Sequence, residues 1–199
     1  MEKGVTGIKT VIKTKVREKY RGLSRQELID KAGELAGKFV LYSWNCGQSN
    51  VCAVHELLEV DDCLVRVATS HAGGSVLQTV GTCGAVTGGT ITLDYFFGRP
   101  PENTSYTEYK QANVDREFET FAITTAFVDK FVKEFGSIIC GILTRRFVGR
   151  TYCFIDPDEL KKFHDAGGHT DPELCNIKFS ASVARWVMEI LLEKGAVEL

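Results

Sequence analysis

At 199 residues the chain is long enough for one domain with a real core, and its formal net charge of −2 argues against a dedicated nucleic-acid binder, whose affinity comes from neutralising phosphates. Hydrophobic content of 44% and charged content of 25% are ordinary for a soluble globular protein. No apolar stretch approaches the roughly 18 residues needed to span a bilayer, and the start lacks the blocks of a secretory signal, so the expectation is a cytoplasmic protein without membrane insertion.

Residues 1–23 read as a basic N-terminal extension (Lys3, Lys9, Lys13, Lys15, Arg17, Lys19, Arg21), expected to be solvated or frayed. Ser24 and Glu27 stand in capping-box spacing, so a helix should start there and run to Ser43. Asn45 can cap a second helix over 46–60, and Asp61 or Asp62 a third over 63–70. A glycine-marked loop, "HAGGSVLQTVG", then leads into "TCGAVTGGTITLDYFFG", whose apolar residues run all round. That pattern suits a buried helix, although its threonines and valine also favour a strand.

Pro100-Pro101 opens a loop, and beyond it Phe118, Phe121, Ala122, Thr125, Val128, Val132 and Phe135 recur at steps of three and four, predicting a long helix. Gly136 breaks it before "SIICGILTRRFVG". Asp156-Pro157 and Asp171-Pro172 each pair a capping residue with a proline suited to a first helical turn. The last helix carries a seam of Leu174, Ile177, Ala181, Ala184, Met188 and Leu191 beside a second apolar face of Cys175, Phe179, Val183 and Trp186, which predicts a central position. The expected architecture is therefore all-α: a single-domain helical bundle over 24–199, with a glycine-rich loop leading into a buried central helix.

Seven cysteines in a reducing compartment point to metal binding or redox chemistry rather than to structural disulfides. There is no C-x-x-C, which leaves a zinc ribbon or a thioredoxin-type site unsupported, and no C-x-x-C-H for covalent haem. Context separates the seven. Cys46 follows Asn45 at a predicted helix start, Cys83 follows the glycine loop at another, and Cys175 lies in the first turn of the last helix. Cys140 follows a glycine-led start in "GSIICGIL". Free backbone N–H groups and the helix dipole at such positions favour thiolates or the sulfurs of a bound cluster. Cys52, Cys63 and Cys153 lie in apolar or aromatic runs and read as core or surface thiols.

The blocks Asn45-Cys46, "AGGSVLQTVGTCGAVTGG", "FGSIICGIL" and "ELCNIKFSASVARWVMEIL" together resemble the redox-active family named for its cysteine pattern, C_GCAxxG_C_C. The resemblance covers roughly Val40 to Glu193, and its most specific piece is Gly81 to Gly88. Its four defining cysteines carry over to Cys46, Cys83, Cys140 and Cys175. The cysteine region of split-Soret cytochromes is similar, but this chain lacks their haem-attachment motif. The segment 148–170, with His164 and His169, looks longer than the compact family form.

The resemblance implies redox activity through an iron–sulfur cluster held by the four cysteines, whose type the sequence does not specify. Gly81, Gly84 and Gly88 are candidate cofactor-binding positions, where main-chain N–H groups could approach sulfur; helix–helix close packing is the competing use of Gly84 and Gly88. Four histidines are too few and scattered to argue a metal site, and His55 and His71 read as solvated or hydrogen-bonded side chains, His71 being the better outsider.

Three functions follow from these residues. The first is electron transfer with a redox partner protein. The second is an oxidoreductase that uses the same thiols for metal-free disulfide exchange, helped by helix N-termini that lower thiol pKa. The third is a helical interaction module, dimerising through the final seam.

Overall fold

The computed structural model describes residues 11–104 and 107–199, so Lys3 and Lys9 of the basic extension lie outside the described residues. The chain is all-α. Its helices are α1 (Arg25–Ser43), α2 (Cys46–Leu57), α3 (Cys63–Val67), α4 (Gly84–Phe97), α5 (Gln111–Phe135), α6 (Cys140–Val148), α7 (Pro157–Asp165) and α8 (Cys175–Glu193). A two-stranded parallel ribbon pairs β1 (Thr14–Lys15) with β2 (Val197–Glu198).

Local chemistry sets three of the helix starts. Ser24 and Glu27 close a full capping box on α1. The Asn45 side chain accepts from Gln48 N–H at 2.9 Å to start α2. Asp156 accepts from the N–H groups of Asp158 and Glu159, with Pro157 at the first turn of α7. α4 is a helix despite its threonines, whose hydroxyls bond back to carbonyls one turn earlier, as Thr92 does to Gly88 at 2.9 Å.

α8 is central. It packs against α1, α2, α4, α5 and α6, with Phe179, Val183, Ala184, Met188 and Leu191 buried. Phe131, Phe135, Phe147 and Phe179 meet edge-on or tilted around it, with ring centroids 4.5–6.2 Å apart, geometry that adds to simple area burial. Of the seam suggested above for dimerisation, Ala184, Met188 and Leu191 are buried within the chain, and Leu174, Ile177 and Ala181 are half-buried.

Three expectations need correction. Asp171-Pro172 does not start the last helix. Asp171 instead accepts from Glu173 N–H at 2.8 Å, completing a turn, and α8 begins at Cys175. The α5 helix forms, but its buried face is Asn113, Arg116, Thr120, Ile123, Phe127, Phe131 and Phe135, leaving Phe118 and Phe121 exposed. The polar members of that stripe are affordable because Arg116 and Thr120 both donate to the Phe97 carbonyl, at 3.0 and 2.7 Å.

Lastly, the basic arm is not loose over residues 11–23. Thr14 N–H donates to the Ala196 carbonyl at 2.9 Å, and Arg17 Nε donates to the His55 and Leu58 carbonyls at 2.8 and 3.1 Å.

Candidate functional site

The four cysteines marked by the sequence stand at the N-termini of four different helices. Cys46, Cys140 and Cys175 are the first residues of α2, α6 and α8, and Cys83 is the residue that caps α4. The fold brings those four ends together. An antiparallel bridge pairs Thr82 with Ile139, Cys83 N–H donates to the Ile138 carbonyl at 2.7 Å, and Cys140 N–H donates to the Gly81 carbonyl at 3.0 Å. α2 and α8 complete the ring by packing on α4.

The convergence shows in the electrostatics. Across every pair of the four, a charge on one sulfur would disfavour charge on the other. All four thiols are free and buried, with exposures of 6%, 5%, 7% and 2% in chain order. By contrast Cys52 is half-buried, and Cys63 and Cys153 are exposed.

Two opposing effects act on these sulfurs. Backbone N–H groups of Gly73, Gly84 and Ala85 favour charge on Cys46, and those of Ala85 and Val86 favour it on Cys83. Burial acts the other way and wins. It pushes all four thiols above the ordinary value of 9.0, reinforced by their mutual repulsion at Cys83, Cys140 and Cys175. The expectation that helix N-termini would leave these thiols with lowered pKa is therefore corrected: the dipoles are present, but desolvation exceeds them.

With pKa raised on folding, the unfolded chain loses these protons first, so the metal-free fold keeps its full stability below the ordinary thiol pKa and loses it as pH rises above that value. Reactivity is also predicted. In metal-free protein at about neutral pH, iodoacetamide should label Cys63 and Cys153 readily and spare the four buried thiols until denaturant is added, as read by mass spectrometry of the peptides.

The loop before Cys83 is wound in an uncommon way. Gly73, Gly74, Ser75, Val76, Leu77 and Thr79 all have positive φ, with Val76 at 41°, a region that β-branched residues seldom enter. Bonds from Leu77 N–H to the Ala72 carbonyl (3.1 Å), from Thr79 N–H to Gly73 (2.8 Å) and from Gly81 N–H to Gly74 (3.1 Å) hold it there. This winding brings the Gly73 N–H to Cys46 and lays the Thr79 carbonyl against Gly141 N–H at 2.7 Å. Strain of this kind, about 1 kcal/mol or more per residue, persists where the surroundings over-determine it.

The three candidate glycines have distinct neighbours. A Cβ on Gly84 would lie 2.4 Å from Cys46 Sγ, so this position keeps main chain directly beside a sulfur. A Cβ on Gly81 would meet the Gly74 carbonyl at 2.5 Å, within the wound loop. At Gly88 the obstruction is the Gly47 carbonyl at 2.2 Å, which makes Gly88 a close contact between α2 and α4.

Beside the thiols lies a cavity of about 150 Å³, bounded by Cys46, Cys140, Trp44, Phe154, His169 and Asn176 among others. Trp44 ends α1 in a left-handed turn, φ 56°. His169 stacks nearly flat on it, ring centroids 5.2 Å apart at 11°, and meets Phe163 edge-on at 5.0 Å. His164 also packs against Trp44, at 4.7 Å. Nothing in the spacing of Trp44, His164 or His169 relates them to the cysteines; only the fold brings them beside the site. His55 instead pairs with Asp62 at 2.8 Å, and His71 offers its carbonyl to Thr87 Oγ1 at 3.4 Å.

Among the described residues, no three His, Cys, Asp or Glu side chains are grouped to hold a single metal ion. No helix of the described residues is long and apolar enough to cross a membrane. Compared with known proteins, residues 44–190 match the model of a family described as "Putative redox-active protein (C_GCAxxG_C_C)". No curated protein and no solved structure matches the chain.

Proposed function

We propose, from the premise that the chain belongs to the C_GCAxxG_C_C family of redox-active proteins, that Cys46, Cys83, Cys140 and Cys175 hold an iron–sulfur cluster and that the protein passes electrons to a redox partner protein. The observation carrying this reading is the convergence of four free, buried thiols from four helix N-termini, each interacting with every other.

The donor set fits such a group. Four cysteine thiolates are the usual complement of two-iron and four-iron clusters. Four neutral thiols crowded in an apolar interior have little use for the N–H groups aimed at Cys46 and Cys83, whereas cluster sulfurs are stabilised by such donors. The bare main chain at Gly84 leaves the close approach that this requires. When bound, the cluster supplies one-electron transfer. The chain's own contribution is to exclude water, fix the sulfurs and set the local field through backbone dipoles.

Raised thiol pKa values weigh against metal-free disulfide exchange, which depends on thiolate. Coordination reverses that logic, because a metal deprotonates the thiols it binds. The test is purification without oxygen, followed by the visible absorption spectrum and assays of iron and acid-labile sulfide per chain. Brown protein with matching iron and sulfide is the expected result. Colourless, iron-free protein that still cycles between oxidised and reduced thiols would overturn it in favour of exchange.

A further inference from the structure

His169 is 4% exposed, and its Nδ1 is buried without a hydrogen-bond partner. An unmet polar atom of this kind costs about 1–3 kcal/mol, so its persistence calls for an explanation. The ring is not loosely placed. Trp44 covers one face, Phe163 stands edge-on, and the same side chain lines the cavity bounded by Cys46 and Cys140. Desolvation, with His164 nearby, lowers its pKa to about 4, so the imidazole is neutral and has one N–H to give.

We propose that His169 donates a hydrogen bond from Nδ1 into the Cys46–Cys140 cavity, toward a sulfur of the bound cluster, and so sets its reduction potential. The proposal rests on the iron–sulfur reading above. Physically, the positive end of an N–H dipole beside sulfur stabilises the more negative, reduced state, and in a water-excluded site that preference is not screened. Trp44 and Phe163 fix the ring so that the donor is held ready rather than recruited. Asn176 lines the same cavity and its Oδ1 accepts from Cys175 Sγ at 3.7 Å, while among the residues bounding the cavity His169 is the one with a fully buried side-chain atom that lacks a partner.

The experiment is redox titration of anaerobically purified protein carrying His169→Phe, His169→Asn or His169→Gln, each assayed for iron and sulfide. Phenylalanine keeps an aromatic ring for the stack and removes the donor. It should move the midpoint downward by about a ten-fold change in the redox equilibrium, ~59 mV for one electron, with iron and sulfide unchanged. Asparagine places an amide near the position of Nδ1 and should restore the potential, whereas glutamine, whose amide reaches the position of Nε2, should not. If the phenylalanine variant loses its cluster, the asparagine–glutamine pair decides alone. Potentials equal to wild type in all variants, or shifted equally in both amides, would overturn the proposal. Wild-type protein without iron would instead sink the reading beneath it.

Discussion

Replacing Cys83 with serine is expected to abolish the visible absorption of anaerobically purified protein and to reduce bound iron and sulfide to background. Cys83 is the first choice because it caps the helix on which both α2 and α8 pack, and its sulfur interacts with those of all three fellows. Serine at Cys46, Cys140 or Cys175 should deplete or spectrally alter the cluster, since an alkoxide ligand is harder and less polarisable than a thiolate. Serine at Cys52, Cys63 or Cys153 should leave spectrum and stoichiometry unchanged, because these thiols are half-buried or exposed outside the ring of helix ends. The controls matter. Thermal melts separate loss of ligand from loss of fold, and each of the seven variants changes one sulfur to oxygen, so a uniform effect would mark general damage. An unaltered spectrum in all four buried variants would remove the basis for the cluster.

What the sequence discloses here is the local chemistry. The Ser24–Glu27 box, the Asn45 cap and Asp156-Pro157 each act within one turn, and each starts a helix where it stands. The four cysteines were legible for a related reason: helix starts can be read locally, and a thiol at a helix start has a physical consequence. The burial of those starts was not legible. Whether dipole or desolvation governs a thiol depends on what the rest of the chain packs around it, and burial turned the expected pKa direction round.

The same limit explains the misassigned face of α5. Two stripes of that helix have workable spacing, and the buried one is the stripe whose Arg116 and Thr120 reach the Phe97 carbonyl and whose Ile123, Phe127 and Phe131 enter the core. Trp44 and His169 are 125 positions apart, so their stack leaves no trace in any spacing rule. The left-handed run at residues 73–79 is hidden too, because four of its members are residues that propensity would place elsewhere.

Alanine at Gly84 and alanine at Gly88 should both lower the melting temperature, and only the first should also disturb the cluster. Gly88 lies inside α4, where Gly→Ala is favourable by about 1 kcal/mol, whereas Gly84 is the first residue of that helix and gains less. Each substitution also carries a collision. At Gly88 the new Cβ would lie 2.2 Å from the Gly47 carbonyl and 2.5 Å from Asn50 Oδ1, so α2 and α4 must separate. A neighbouring helix backbone yields less readily than a side chain, and overpacking of this kind costs about 1–3 kcal/mol or more. The collision outweighs the propensity gain. At about 2–4 °C per kcal/mol for a chain of this size, a fall of several degrees is expected.

At Gly84 the collisions are with Cys46 Sγ at 2.4 Å, the His71 carbonyl at 2.4 Å and Gly47 N at 2.9 Å. Relief can come only by moving the sulfur, the loop or the start of α2, and each of these positions a thiol or an N–H aimed at one. The Gly84→Ala protein should therefore carry less iron and sulfide per folded chain, while Gly88→Ala, once folded, should carry the wild-type amount. Equal depletion in both would mean that the α2–α4 crossing as a whole, rather than the bare main chain at Gly84, keeps Cys46 in register with the other three sulfurs. Full loading in both would mean that Cys46 has room to shift, and that the closeness of Gly84 to its sulfur belongs to helix packing alone.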